Sequence, residues 1–175
     1  RYERLVAWKY RVQELLGARD RLLGVRSWLD GRRVLDVGCG PAVDVPHVEN
    51  HLDVVAGYVG VDYSPAFVDA ARRRHPSDKF EFAQASVEAL PFPDRSFDVV
   101  LLPFVLHHVQ GSVDRAWTEA LRVARERVIV YDHLRATGWR GRLQSAYWRR
   151  FDGGEQYLSA SQWRALIAGA RVERV

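Results

Sequence analysis

The sequence has no methionine, a single cysteine and no long apolar run. The lone Cys39 excludes an internal disulfide framework and a zinc site built from several thiolates, and it fits a reducing compartment. His47 and His51 have the spacing of a helical zinc motif, but Val48 stands where that motif needs its catalytic glutamate. We therefore expect no metal site.

The chain also lacks the 18 to 20 consecutive apolar residues that crossing a bilayer takes, at roughly 1.5 Å per residue. Its amino end begins with the charged residues Arg1, Glu3 and Arg4 instead of a signal sequence. We expect a soluble, cytoplasmic protein with no membrane span. Because position 1 is not methionine, we also expect that the sequence starts after the translation start, and trimming at either end stays open.

Lysine is scarce, with only Lys9 and Lys79 among 26 basic residues, and the net charge of +4 is unevenly distributed. Residues 1–33 and 135–175 are basic, whereas residues 34–134 are acidic. Basic flanks could attract nucleic acid or an anionic acceptor. The arginine bias has a simpler explanation in coding composition, and no RNA-binding motif accompanies it. Nucleic acid is therefore the less favoured partner.

A chain of 175 residues suits one domain with a single core. Apolar residues at helical spacing predict two helices that form an amino-terminal cap over residues 1–30. Helix starts are predicted at Ser64 before Pro65, near Asp44, and at Ser159 with Gln162 as a capping box. Short apolar runs alternate with helical stretches, which predicts an α/β, Rossmann-like fold whose mostly parallel sheet has helices on both faces. The predicted strands cover residues 34–37, 57–62, 80–84, 97–102 and 127–132, with a last strand from Arg171 truncated by the end of the sequence.

The first predicted strand runs directly into the turn Gly38-Cys39-Gly40. Glycine has no Cβ to obstruct a sharp bend or the close approach of a ligand to the backbone. Asp62 ends the next strand 22 residues after Gly40, which is about the distance expected for a carboxylate that binds a ribose. These features predict a nucleoside site. A nicotinamide dehydrogenase has the same skeleton, so they leave the cofactor open.

Three further segments favour one family. Residues 35–41 (LDVGCGP), residues 90–92 (LPF) followed by 96–100 (SFDVV), and residues 105–109 (VLHHV) occur in an order and spacing that resemble the class I S-adenosylmethionine (SAM)-dependent methyltransferases, especially those acting on small molecules. The resemblance covers about residues 33–132, and more loosely 157–175. It implies SAM as the cofactor, with S-adenosylhomocysteine as its product, and one methyltransferase domain over residues 1–175.

The resemblance also implies a set of cofactor-binding residues. Gly38 and Gly40 would approach the methionine part of SAM, Asp62 would bind the ribose and Tyr63 would pack on the adenine. Where the family often has an acid that binds the adenine amino group, this sequence has Ser86, which departs from the pattern and weakens the expected adenine selectivity. Asp36 would lie beneath the turn and fix its amides. The remaining expected contacts are Cys39, with a packing role and no nucleophilic one, the amide of Val87, and Leu102 at the end of the fourth strand.

The candidate catalytic residues follow the fourth and fifth strands. Methyl transfer from a sulfonium depends mainly on alignment, so a general base is optional. His107 and His108 are the first candidates, and Asp132 with His133 are the next. The alternatives are that the histidines bond neighbouring loops at a helix start, and that Asp132 and His133 orient a loop or cap backbone.

Residues 133–156 combine Trp139, Tyr147 and Trp148 with several arginines. They could form an acceptor lid, or an amphipathic helix packed on the sheet, and the sequence does not decide between the two. The leading hypothesis for the whole chain is SAM-dependent methyl transfer to a small-molecule acceptor. The alternatives are a SAM-binding protein without transferase activity and an RNA methyltransferase. The acceptor and the oligomeric state stay open.

Overall fold

The computed structural model describes residues 28–42, 56–76, 78–135, 137–151, 153–154 and 156–170. Five predictions fall outside the described residues and are not tested. They are the two amino-terminal helices up to residue 27, the helix start near Asp44, the expectation that His47 and His51 hold no metal, and the strand from Arg171.

Five strands form one sheet in the order β3-β2-β1-β4-β5, and every neighbouring pair is parallel. The three central strands are mainly buried, which explains why they read as short, nearly continuous apolar runs in the sequence, whereas both edge strands contain exposed residues. Their bounds are β1 Arg33–Val37, β2 Gly57–Asp62, β3 Phe80–Gln84, β4 Phe97–Pro103 and β5 Ala124–Tyr131.

The described helices lie between or after these strands. They are α1 Pro65–Arg74, α2 Val113–Val123, α3 Gly138–Phe151 and α4 Ala160–Leu166, with a short 3₁₀ turn at Leu106–His108. None of the helices in this described part of the chain combines the length and the apolar character that a membrane crossing needs.

Helices cover both faces of the sheet, as the sequence predicts. Successive strand residues point to opposite faces, so Val34 belongs to one apolar cluster and Leu35 to the other. Val68 and Ala71 of α1 pack in the cluster of Val34. The cluster of Leu35 contains three residues of α2 and one of α4, namely Trp117, Ala120, Val123 and Leu166.

All five predicted strands within the described residues are confirmed, and one boundary differs clearly. Strand β5 begins at Ala124, directly after α2, and ends at Tyr131, so Asp132 lies just beyond it. Its first residues include the exposed Arg125 and Glu126. Such charges are typical of a sheet edge, and they hide the start of a strand from hydrophobic pattern analysis.

Two predicted helix starts are confirmed, one of them with a different cap. Ser159 accepts a hydrogen bond from the Gln162 amide in a complete capping box. Ser64 occupies the cap position before Pro65, but its hydroxyl makes no capping bond. The Ser64 amide instead donates to Asp62 Oδ1 over 2.8 Å, so the start of α1 is held by the carboxylate at the end of β2.

The order of the strands locates the site. The chain moves from β1 to β2 and β3 on one side, then crosses to β4 and β5 on the other. In open parallel sheets, ligands bind outside the carboxyl ends of the strands at the point where the order reverses. Here that point lies between β1 and β4.

Candidate functional site

The turn after β1 is held by the end of β2. The amides of Gly38 and Cys39 both donate to the carbonyl of Val61, over 2.7 and 3.0 Å. The Gly40 amide donates to Asp62 Oδ2 over 2.9 Å. Gly38 and Gly40 have φ angles of +72° and +55°, a region in which glycine is favoured. The turn is therefore fixed in shape before any ligand arrives.

Gly38 also makes room for the loop that follows β4. A Cβ placed on Gly38 would lie 2.5 Å from Cγ2 of Val105. Val105 is buried and comes two residues before His107. The glycine therefore brings the loop with the candidate histidines directly against the predicted cofactor turn, a packing role that the sequence analysis missed.

Asp62 lies where the sequence predicts a ribose-binding carboxylate. Its two oxygens each accept one backbone hydrogen bond, from the amides of Gly40 and Ser64. A carboxylate oxygen has two lone pairs, so the bonds made within the described part of the chain leave one lone pair on each oxygen for a ligand hydroxyl. Burial raises the pKa of Asp62, and the two amide hydrogen bonds oppose that rise without cancelling it.

The residues predicted around adenine lie beside Asp62. The Ala85 amide donates to the Asp62 carbonyl over 3.0 Å, which brings the loop after β3 to the end of β2. The side chain of Tyr63 is 77% exposed at the same edge. The Ser86 hydroxyl accepts from the Glu88 amide over 3.2 Å, so one of its two lone pairs is already used. Ser86 and Val87 are half-buried.

Asp36 is held differently from the prediction. Its Oδ2 accepts a 2.5 Å hydrogen bond from the Tyr58 hydroxyl. The amides of the glycine turn donate to Val61 and Asp62, so the prediction that Asp36 fixes them is wrong. The reason is register: β1 and β2 end side by side, with Val37 opposite Val61, and the acceptors at the end of β2 lie closer to the turn.

The packing prediction for Cys39 agrees with its surroundings. Cys39 is half-buried, and its Sγ would lie 3.0 Å from a Cβ placed on Gly60. Burial raises the pKa of the Cys39 thiol, and the nearby carboxylates of Asp36 and Asp62 raise it further. The thiol therefore stays protonated at neutral pH and is a poor nucleophile.

Leu102 lies in the core and not at the ligand edge. Its side chain is fully buried in the apolar cluster of Leu35 and Trp117. This burial leaves only the backbone of Leu102 for a ligand contact, and the predicted cofactor contact stays a prediction. The last residues of β4 alternate between the two faces, and the loop from Phe104 onward is the part of this segment that reaches the edge.

His107 and Asp132 form a buried pair at the carboxyl ends of β4 and β5. His107 Nδ1 lies 2.6 Å from Asp132 Oδ1, and each side chain is 2% exposed. The carboxylate also accepts the amide of His107 through Oδ2 over 3.1 Å and the amide of His133 through Oδ1 over 2.6 Å. An ionised carboxylate can only accept, so Nδ1 carries a proton and donates it. In the neutral ring, Nε2 is then the basic nitrogen.

Aromatic and imidazole rings surround this pair. The ring centroid of His107 lies 4.1 Å from that of His108 and 4.9 Å from that of His133. His133 stacks on Trp148 of α3 at 4.1 Å and His107 stacks on Tyr157 at 5.4 Å. Phe104 adds a sixth ring 5.2 Å from His133. We call Phe104, His107, His108, His133, Trp148 and Tyr157 the ring cluster.

The segment after α3 covers His107. A Cβ on Gly154 would lie 2.5 Å from both His107 Cδ2 and the Tyr157 hydroxyl oxygen. The Gln156 amide donates to the His107 carbonyl, and its side chain donates to the carbonyls of Val109 and Gly111. Gly154 and Gln156 thus hold residues 153–154 and 156–157 against the histidine turn. The sequence contains no pattern that predicts the Gln156 contacts.

The structure brings all four candidate catalytic residues together. His107, His108, Asp132 and His133 meet at one place, while only part of the predicted lid reaches it. Trp148 faces the ring cluster, whereas Trp139 and Tyr147 are 65% and 60% exposed on the outer side of α3. The predicted lid residues are therefore divided between the two sides of one helix.

Comparison with known proteins agrees with this geometry. A family described as a methyltransferase domain matches residues 35–131, which include the glycine turn, Asp62 and the start of the ring cluster. The chain belongs to this family, and its fold is that of the class I SAM-dependent methyltransferases.

Individual relatives are similar over part of their length. The chain is 36% identical over 97 residues to a fatty-acid O-methyltransferase of Mycolicibacterium smegmatis, covering 55% of this chain and 35% of the relative. It is 30% identical over 152 residues to phthiotriol/phenolphthiotriol dimycocerosates methyltransferase 1 of Mycobacterium ulcerans, covering 84% of this chain and 55% of the relative. The chain therefore spans about half the length, or less, of these relatives.

A solved structure has the same fold. The YcgJ protein from Bacillus subtilis superimposes with a TM-score of 0.72 at 25% identity, covering 84% of this chain and 65% of that one. The likeness extends beyond residues 35–131, because the superposition covers a larger share of the chain than the family match does.

Proposed function

We propose that this protein transfers the methyl group of SAM to an oxygen on a small, largely apolar acceptor. The observation that carries the proposal is the packing of Val105 on Gly38, which brings the buried His107–Asp132 pair next to the glycine turn. The cofactor turn and the candidate base therefore lie close to each other at the switch point of the sheet.

The residues at the turn fit the cofactor. Asp62 keeps one free lone pair on each carboxylate oxygen for the two ribose hydroxyls, and Gly38 presents backbone without a side chain. Tyr63 would cover the adenine, and Ser86 with the Val87 amide would face its edge. When bound, SAM supplies a methyl group already activated by the sulfonium. The protein has to align it with the acceptor and to accept a proton.

His107 is the proposed general base. Asp132 holds Nδ1 in its protonated form, so Nε2 can take the proton of an acceptor hydroxyl group. A carboxyl acceptor is already ionised at neutral pH and needs only to be positioned. Asp132 acts through His107 and is a positioning residue. His108 and His133 lie within the same ring cluster and are the remaining candidates.

Access to His107 requires a movement. With 2% of its side chain exposed, His107 can be reached by an acceptor only when the groups that cover it shift, and residues 153–154 and 156–157 are the proposed moving part. These residues come directly after α3, so helix and segment together are the proposed acceptor lid. Trp148 and Tyr157 of this lid would line the acceptor site, which favours an apolar or aromatic acceptor over a strongly polar one.

The named relatives support the same class of acceptor. One is named for a fatty acid and the other for phthiotriol and phenolphthiotriol dimycocerosates. A carboxyl or hydroxyl group on a long apolar molecule is thus the first acceptor to test.

The experiment is turnover with SAM and a panel of long-chain fatty acids and alkylphenols, with methylated product detected by mass spectrometry. We expect SAM binding by calorimetry and product from at least one apolar acceptor. Matched short, polar acids serve as the control panel and should give less product.

Three outcomes would contradict the proposed function, and each has a different meaning. A folded protein that does not bind SAM at millimolar concentration would contradict the cofactor assignment. Binding without turnover on any acceptor would favour a SAM-binding protein without transferase activity. Methylation of RNA with a steep dependence on salt would favour the RNA methyltransferase.

A further inference from the structure

The outer side of α3 carries exposed apolar residues that the proposed reaction does not use. Trp139, Leu143 and Tyr147 follow one another at intervals of four, so they lie along one side of the helix. Their exposed fractions are 65%, 62% and 60%. Eight helical steps separate the first from the last, a length of about 12 Å. We call these three residues the α3 stripe.

Arginines border this stripe. Arg140, Arg142, Arg149 and Arg150 are all exposed, and Gly138–Phe151 contains no acidic residue. The guanidinium of Arg140 lies 5.4 Å from the centroid of the Trp139 ring. The opposite side of the helix is small and buried at Gly141 and Ser145. The apolar side of this helix therefore faces outward, with cationic groups next to it.

We propose that α3 docks on a lipid bilayer that contains anionic headgroups. A helix that lies in the membrane interface buries Trp and Leu at the boundary between headgroups and acyl chains while its Arg side chains contact anionic lipid. Exposed tyrosine and tryptophan are suited to that depth because one end of each ring system is polar. The α3 stripe and its arginines supply both parts of this interaction on one surface.

Charge favours an anionic bilayer over the other possible binding partners of the α3 stripe. A second copy of the chain would place four arginines opposite four more, with no acid on either helix. The segment of residues 1–27 is also cationic, with seven basic and three acidic residues. Nucleic acid would match the charge, but Leu143 would gain little against phosphate and sugar. An anionic bilayer complements both the arginines and the leucine.

The test is flotation of the full chain with lipid vesicles. We expect the protein to bind vesicles of phosphatidylcholine mixed with phosphatidylglycerol, to bind pure phosphatidylcholine weakly, and to be partly released by high salt. A blue shift of tryptophan fluorescence on binding would place Trp139 in the interface. The assay contains no SAM and no acceptor, so its result is independent of the proposed methyl transfer.

Matched variants locate the surface. Leu143→Ser should weaken vesicle binding about tenfold, because the leucine that would be buried in the bilayer is lost. Leu121→Ser, at a leucine on α2 that is 46% exposed, should not change binding. Replacing Arg142 and Arg149 together by alanine should weaken binding at least tenfold. The same change of net charge at Arg73 and Arg74 of α1 should weaken it much less. Leu143→Ala provides a milder second variant, and circular dichroism confirms folding.

Three results would overturn the proposal. The first is no binding to anionic vesicles, or equal binding to both vesicle types. The second is equal loss of binding in the Leu143 and Leu121 variants. The third is a dimer, or an RNA complex, that forms without lipid and is lost on Leu143→Ser, because the occupant of the stripe would then be a protein or a nucleic acid.

Discussion

His107 Nδ1 and Asp132 Oδ1 lie 2.6 Å apart with both side chains almost completely buried, and they come from the ends of two neighbouring strands. Asp132 also accepts the backbone amides of His107 and His133. The two backbone amides hold the carboxylate in place, and its bond to Nδ1 fixes the imidazole tautomer. The orientation of His107 is thus set by the sheet and not by the acceptor.

Replacing His107 should separate catalysis from binding. A general base typically contributes ~100- to 10,000-fold in rate, so His107→Ala should lower kcat by about 100-fold or more and leave the SAM dissociation constant nearly unchanged. Asp132→Asn should lower kcat as well, because the ring loses the partner that fixes its tautomer. Kinetics with an accepted substrate and SAM calorimetry measure the two effects.

The control for His107 is another buried histidine. His75 is 5% exposed and bonds the Ala42 carbonyl over 2.8 Å, away from Asp132. His75→Ala should lower the free energy of unfolding and keep kcat within a few-fold of the original. Equal losses of kcat in the two histidine variants would assign His107 a structural role only.

Asp62→Ala should weaken SAM binding by about 1–3 kcal/mol through the loss of charged hydrogen bonds. It should also lower the free energy of unfolding, because the amides of Gly40 and Ser64 lose their acceptor. Calorimetry below the unfolding temperature of the variant measures binding alone. Asp69→Ala, at an exposed acid on α1, is the control, and unchanged affinity in Asp62→Ala would refute the ribose role.

The raised pKa of Asp62 predicts a pH dependence of binding. Ribose hydroxyls donate to the ionised carboxylate, so affinity should fall as pH decreases through the folded-state pKa. Burial raises that value, and the fall should begin above the ordinary aspartate range near 3.9. Titration with S-adenosylhomocysteine across this range tests the prediction, with Asp62→Asn expected to lack the dependence.

The raised pKa of Asp62 has the opposite effect on the free energy of unfolding, which it increases at low pH. A carboxyl group whose folded pKa is raised contributes most to the free energy of unfolding below its unfolded pKa. That contribution is lost as pH rises through the folded value. Falling affinity at low pH that merely followed a loss of folded protein would therefore contradict the assignment to Asp62.

Cys39 should react slowly with thiol reagents in the folded protein. Burial and two nearby carboxylates raise its thiol pKa, which leaves little thiolate at pH 8. Iodoacetamide labelling followed by mass spectrometry should be at least tenfold slower than in the urea-unfolded chain. The single cysteine makes this a one-site measurement. Equal rates in the two states would contradict the burial of Cys39.

Much of the fold is readable from the sequence because it depends on local patterns. Short apolar runs ending in Gly or Asp predict buried parallel strands. The spacing of Gly40 and Asp62 predicts a carboxylate beside the glycine turn for a ribose, but it does not predict the 2.9 Å hydrogen bond between these two residues. The start of β5 is not readable in this way, because Arg125 and Glu126 are charged and follow a helix without a loop.

The contacts that build the catalytic candidate are not local. His107 and Asp132 are 25 residues apart, and they meet because β4 and β5 end together with Pro103 opposite Tyr131. The bond from Tyr58 to Asp36 and the fastening of the histidine turn by Gln156 also depend on tertiary register. Sequence patterns indicated the residue types but not these partners.

Gly38→Ala should destabilise the protein for two separable reasons. A φ of +72° costs an alanine about 1–2 kcal/mol, and the new methyl group would meet Val105 at 2.5 Å, which adds an overpacking cost of typically 1–3 kcal/mol. Gly31→Ala isolates the first cost, because Gly31 has a φ of +66° and open space around its position. Urea unfolding of both variants gives the difference.

A double variant then tests the contact itself. Val105→Ala removes the methyl groups that the new Cβ would meet, so Gly38→Ala should cost less in that background than alone, with a coupling energy of about 1 kcal/mol or more. Similar losses for Gly38→Ala and Gly31→Ala, together with additive effects of the Gly38 and Val105 changes, would mean that Val105 does not press on the turn. The loop bearing His107 would then not be held against the cofactor turn by this contact, and the packing from which the proposed reaction is argued would be absent.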